Sequence, residues 1–223
     1  MHVRTLSRRT ALVAGGLTLA AAPGPFQALR DALRAVAGGV FPSASITPGG
    51  IVVHHSATEP GRLPCANAAA FEEEHKRRGM GVWYRGRVYH IAYHYVILQD
   101  GTIEPGRPEL CRGAHTRSSR MNRWLGVCVV GCFDPRWADK KYRRPTPEQM
   151  RALASLTGAL MLKYQFDETR ILPHRAVNVT ECPGKSFPLS EYLSLARAEA
   201  QKGRTPPSPL SSSPITAAPG AAG

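Results

Sequence analysis

"IVVHHSA", residues 51–57, opens with three β-branched residues, a run that favours extended backbone and reads as a buried strand. "TPGG" at 47–50 introduces it, and His54 and His55 end it. Successive strand side chains point to opposite faces, so at most one of the two histidines reaches a site beside the sheet. A strand-end histidine is more often a structural hydrogen-bonding group than a ligand, and the pair alone does not decide between these roles.

The elements on either side set the fold class. "NAAAFEEEHKRRG", 67–79, reads as a helix capped by Asn67 and stopped at Gly79. In "YHIAYHYVILQDGTIEPG", 89–106, a β-rich run breaks at Asp100-Gly101, a strong hairpin signal, and resumes at Thr102-Ile103. "LGVCVVGCF", 125–133, is nearly all apolar and belongs at the centre of a sheet. "TPEQMRALASLTGALMLKYQ", 146–165, combines a Thr146 cap, Pro147 at the first helical position and Gln149 completing a capping box. Its Met150, Leu153, Leu156, Leu160 and Tyr164 form one apolar face, and "LSEYLSLARAEAQ", 189–201, makes a final helix. Strands alternating with helices, plus one hairpin, imply an α/β fold: a single domain, about 47–201, with a central mixed β-sheet and helices on both faces.

The ends differ in character. Residues 1–22 combine a basic start, an apolar run from Thr10 to Ala22 and small residues suited to cleavage, the pattern of an export signal. That run is too short for a permanent membrane span, and Ser7-Arg8-Arg9 gives it a twin-arginine character. An exported, periplasmic or extracellular protein is expected. "PFQALRDALRAVAGG", 25–39, places Phe26, Leu29, Leu33 and Val36 at helical spacing and predicts a helix docked on the domain through region 23–46. From Lys202 to Gly223 the chain is rich in Pro, Ser, Ala and Gly, and a disordered tail is expected.

Net charge is +13, and loss of Arg4, Arg8 and Arg9 with the leader would lower it to +10. A basic exported protein suits an anionic partner such as a cell-wall polymer. Nucleic acid would fit the charge but not the compartment, and no nucleic-acid motif supports it. Five cysteines leave at least one without an intramolecular disulfide partner. Cys128 falls in the apolar 125–133 run as a small buried hydrophobe, while a Cys65–Cys111 disulfide is open.

"LPHRAVNVTECPGKSF", 172–187, sets His174 and Cys182 apart by seven residues, just before a Pro-Gly turn. Two ligands do not hold zinc, and the histidine pair at 54–55 is the natural source of a third.

Five segments in this order resemble the zinc-dependent N-acetylmuramoyl-L-alanine amidases of the bacteriophage-lysozyme and peptidoglycan-recognition-protein type. They are "IVVHHSA", "AYHYVILQDGTIEPGRP", "GAH", "LGVCVVG" and "PHRAVNVTECPG", spanning about Gly50 to Pro188. The resemblance implies zinc held by His54, His174 and Cys182, with the fourth position open for catalysis. It implies that Tyr93 binds the oxyanion of the attacked amide, where the bare local sequence would read a packed strand tyrosine. Thr180 takes a catalytic position that some relatives fill with lysine, and the resemblance implies substrate binding by His115. Trp124 stands where a small residue is common, and "MGVWYRGRVYHI", 80–91, is longer than its counterpart; Trp83 and Tyr84 there either stack on sugars or brace the loop. The implied reaction is hydrolysis of the amide between N-acetylmuramic acid and L-alanine in peptidoglycan or muropeptides, by a monomer. The competing reading is a non-catalytic peptidoglycan-binding module.

Overall fold

A computed structural model describes residues 30, 33, 36, 39–58, 66–136 and 143–204. The proposed leader, Cys65 and everything after 204 lie outside the described residues.

Along the chain run β1 (Ile51–His55), α1 (Ala68–Arg77), β2 (Val82–Tyr84), β3 (Arg87–Tyr89), β4 (Tyr95–Ile97), β5 (Ile103–Pro105), β6 (Leu125–Val129), α2 (Pro147–Tyr164), β7 (Ile171–Pro173) and α3 (Leu189–Arg204). Five strands form the main sheet in the order β5-β4-β6-β1-β7, and β2 and β3 form a separate hairpin. Only the β4–β5 pair in the main sheet is antiparallel, so the sheet is mixed. β6 lies in the middle with all five residues buried, as an almost wholly apolar run requires.

Helices cover both faces. On one, Ile51 and Val53 of β1 and Leu125, Val127 and Val129 of β6 pack under α2 and α3 through Met150, Leu153, Leu160 and Tyr192. On the other, Val96 and Cys128 pack with Phe71 of α1 and Ile91. The alternation of side chains along β1 therefore sends His54 to the α1 face and His55 to the α2–α3 face.

Local chemistry explains the helix ends. The Asn67 side chain accepts from Ala70 N at 2.8 Å, and α1 gives way at Arg78 to Gly79, whose φ is +69°. Thr146 and Gln149 form the reciprocal capping box ahead of α2. Gln149 also donates through Nε2 to Val130 O at 2.8 Å, tying the helix start to the end of β6.

Three expectations change, and one open question closes. The β-rich run is strand only over Tyr95–Ile97, because the N–H groups of His90 and Ile91 are bound by the Glu72 carboxylate at 2.7–3.0 Å instead of a neighbouring strand. The final helix runs on to Arg204, into the expected tail, where Gly203 lies close against Leu162 and Lys202 pairs with Glu199 at 2.6 Å. The upstream segment is helical at residues 30, 33 and 36, but Leu33 and Val36 are 61% and 42% exposed instead of docked. Cys111 carries a free, buried thiol. Tyr84 is buried with its hydroxyl 3.1 Å from Ser45 Oγ, which makes it a brace. Among the described residues no helix is long and apolar enough to cross a membrane.

Candidate metal centre

β1 and β7 are parallel neighbours, with Val53 paired to Pro173. The next residue on each is a histidine, so His54 and His174 leave the sheet side by side, their ring centroids 4.3 Å apart. The third residue returns from a loop. Arg175 N donates to Cys182 O at 2.8 Å, closing residues 175–182 into a compact excursion. The Pro-Gly turn that follows needs its glycine: Gly184 has φ +101°, and a Cβ there would lie 2.2 Å from Phe133 O.

The outcome is one cluster. The ligand atoms of His54, His174 and Cys182 lie within 4.8 Å of one another. Cys182 Sγ is 3.8 Å from His54 Nδ1 and accepts the His55 backbone N–H at 3.4 Å. With zinc bonds of about 2.0–2.3 Å, tetrahedral donors stand roughly 3.3–3.8 Å apart, so small side-chain rotations close the set. One thiol and two imidazoles are also the donor types that zinc prefers. The residues fit the metal.

Electrostatics agree with that chemistry. His54 is held well below the ordinary histidine value, first by burial and then by the neighbouring rings of His115, His174 and His55. Burial also lowers His174. Both imidazoles therefore stay neutral, the form that ligates. Burial pushes the Cys182 thiol up to about 12, against the pull of the His55 N–H and of Arg175. A bound cation reverses that preference, because a coordinating thiol gives up its proton.

Tyr93 stands beside the cluster, its ring 5.2 Å from that of His54 and edge-on to Phe71. It lies just ahead of β4, partly buried and packed against the cluster that holds Phe71, Ile91 and Val96. Thr180 is exposed, and its Oγ1 accepts from Cys182 N at 3.2 Å. A cleft of about 350 Å³ opens beside Thr180 and Cys182, lined also by His55, Cys132, Asp134 and Arg136.

His115 is placed differently from a groove residue. It is 6% exposed, and both ring nitrogens are engaged: Nδ1 lies 3.0 Å from His54 Nε2 and Nε2 lies 3.0 Å from Trp124 O. Burial, reinforced by His94, brings its pKa down to about 3. Trp124 itself packs over Gly49 and Gly50, with the Arg170 guanidinium 6.0 Å from its ring. That covering role explains a large side chain where a small one was expected.

Three supporting residues were not singled out in the sequence. His94 accepts from Gly126 N at 2.9 Å and lies 2.8 Å from Cys111 O through its other nitrogen. Glu72 holds the backbone at His90 and Ile91, as described. Arg107 is buried, and its guanidinium donates to Ile91 O, to Arg112 O at 2.7 Å and to Met80 O at 2.8 Å. The adjacency of His94 to Tyr93 was the one available clue.

Comparison with known proteins fits this geometry. Residues 45–185 match the family described as N-acetylmuramoyl-L-alanine amidase. The endolysin of Enterobacteria phage T3 is 35% identical over 142 residues, which cover 64% of this chain and 83% of that protein. Peptidoglycan-recognition protein SD of Drosophila melanogaster is 30% identical over 98 residues, 44% of this chain and 48% of that one. Among solved structures, the N-acetylmuramoyl-L-alanine amidase LysC from Clostridium intestinale is 33% identical with a TM-score of 0.52, covering 67% of this chain and 85% of its own. A family match over more than half of the chain, on a fold that gathers two histidines and a cysteine at one end of its sheet, places this protein in the N-acetylmuramoyl-L-alanine amidase family, enzymes that hydrolyse an amide of peptidoglycan.

Proposed function

We propose that the protein is a zinc hydrolase that cleaves the amide between the lactyl group of N-acetylmuramic acid and L-alanine. The observation that carries this reading is the convergence of His54, His174 and Cys182 within 4.8 Å beside Tyr93. These three residues would hold the ion, and three protein ligands leave a fourth position for chemistry. Zinc there would supply Lewis-acid polarisation of the amide carbonyl and activation of the attacking water. Tyr93 donates its phenolic hydrogen bond to the oxyanion that develops on the substrate. Thr180, two residues before Cys182 with an exposed hydroxyl, would donate a hydrogen bond to the same intermediate without adding a charge.

Replacing Cys182 or His174 with Ala is expected to remove most bound zinc and all measurable cleavage of muramoyl-peptides. Full zinc content in both variants would sink the metal assignment. The alternative is a non-catalytic binding module. A zinc-loaded wild-type chain that binds muropeptides yet releases no free stem peptide, by mass spectrometry, would favour it.

The twin-arginine pattern supports export in the folded state, with residues 1–22 removed and the domain at 47–201 acting outside the cytoplasm. Retention of precursor in the cell after Arg8→Lys with Arg9→Lys is the expected result, and normal export of that variant would point to the general secretory route.

A further inference from the structure

We propose that His115 is a positioning residue that fixes the tautomer of His54, so that the Nδ1 lone pair of His54 faces His174 and Cys182. The proposal rests on the metal reading of that cluster. A carbonyl oxygen only accepts, so the 3.0 Å contact to Trp124 O puts a proton on His115 Nε2. With one proton per ring, His115 Nδ1 is an acceptor, and the 3.0 Å contact puts the His54 proton on its Nε2. His54 Nδ1 is left bare, and it is the atom 3.8 Å from Cys182 Sγ. The chain of contacts thus runs from a main-chain carbonyl through two rings to the ligand atom.

The opposite tautomer would aim an N–H of His54 at the cluster and block ligation. In water the two neutral tautomers differ little, so a ligand without such a partner spends part of its time in the wrong form. A hydrogen bond from the second ring nitrogen is the usual device that orients a metal-bound histidine, and loss of such a partner costs 10–100-fold in affinity. Here the partner is a second histidine, itself fixed by the backbone.

The surrounding chain is shaped for that ring. A Cβ on Gly126 would lie 2.4 Å from His115 Cδ2, and one on Gly113 would lie 2.5 Å from the same atom. Both positions are clear of side chain where the imidazole lies. Gly126 belongs to β6 and Gly113 to the loop that carries His115, so two separate segments make room for it. An ordinary substrate-contacting histidine would need neither.

One test needs no substitution. Long-range proton–nitrogen NMR on the metal-free full chain reads which nitrogen of each ring is protonated. Both His54 and His115 are expected as the Nε2–H form, and a proton on Nδ1 of either ring would overturn the proposal. A second test measures zinc affinity by competition with a chromophoric chelator. His115→Leu should weaken binding by about 10–100-fold, while His115→Asn, which keeps an acceptor near the place of Nδ1, should recover much of the loss. Wild-type affinity in His115→Leu would overturn the proposal. Failure of the metal reading has a different signature: a wild-type chain without zinc affinity, or a Cys182→Ala variant that binds zinc like the wild type.

Discussion

Val53 and Pro173 stand in register on neighbouring parallel strands, and each is followed by a histidine. Parallel pairing sends both chains out at the same end of the sheet, where open α/β folds build their sites. Two residues separated by more than a hundred positions are thereby made neighbours by backbone pairing alone.

The same strand separates His54 from His55. His55 turns to the other face, where its Nδ1 accepts from Phe133 N at 3.2 Å. His55→Ala should therefore keep its zinc and lose stability by about 1–3 kcal/mol, the cost of leaving that N–H unpaired. Metal analysis and urea denaturation on one preparation check both halves. Loss of zinc with stability intact would mean that β1 presents the other histidine.

Tyr93→Phe preserves ring packing against His54 and Phe71 and removes one hydroxyl. Turnover on a muramoyl-peptide should drop by on the order of a hundredfold, about 3 kcal/mol of transition-state stabilisation. Zinc content and substrate affinity should change far less, since the charge this hydroxyl meets exists only during reaction. Near-normal turnover would remove Tyr93 from the mechanism.

Gly126→Ala changes no ligand yet drives a methyl into the His115 ring. Overpacking of this kind costs about 1–3 kcal/mol, and the displaced ring should also lower zinc affinity. Calorimetric unfolding and chelator competition separate the two effects. A variant that is destabilised but binds zinc normally would show that the metal cluster tolerates a shifted His115.

Acid sensitivity follows from the buried histidines outside the ligand set. His94 is brought down from 6.5 to about 4, chiefly by burial. Between those values the unfolded chain binds a proton that the folded chain refuses, so stability falls as pH is lowered through this window. The slope per such histidine is up to about 1.4 kcal/mol per pH unit. His94→Gln should flatten the dependence of the urea midpoint on pH between 4 and 6.5. An unchanged slope would assign the acid sensitivity to other groups.

Much of the architecture was legible because local and global signals agree. The apolar run at 125–133 had to be central, and Thr146, Pro147 and Gln149 announced the start of α2 before any packing was known. The cluster was legible for a different reason: histidine and cysteine ahead of a Pro-Gly turn are a weak signal by themselves, and the resemblance carried by five ordered segments implied that His54 joins them. The placement of His115 was not legible, because its burial depends on empty space at Gly126 and on a main-chain carbonyl, neither of which has a side-chain signature. The Glu72 carboxylate that replaces strand pairing at His90 and Ile91 was hidden likewise, since on its helix it reads as one of three acidic residues in a row. Exposure of Leu33 and Val36 shows the limit of periodicity, which identifies an apolar stripe without naming what covers it.

Arg107 gives the scaffold a rule for rebuilding. Its planar guanidinium fastens the segment before Tyr93, the segment before His115 and the chain after α1 to one point. A lysine supplies the charge but not the fork, so it cannot hold three carbonyls in that geometry. Anyone transplanting this rim to another sheet has to carry Arg107 with both segments, whereas the Arg85-Gly86 turn of the β2–β3 hairpin can be exchanged without disturbing either.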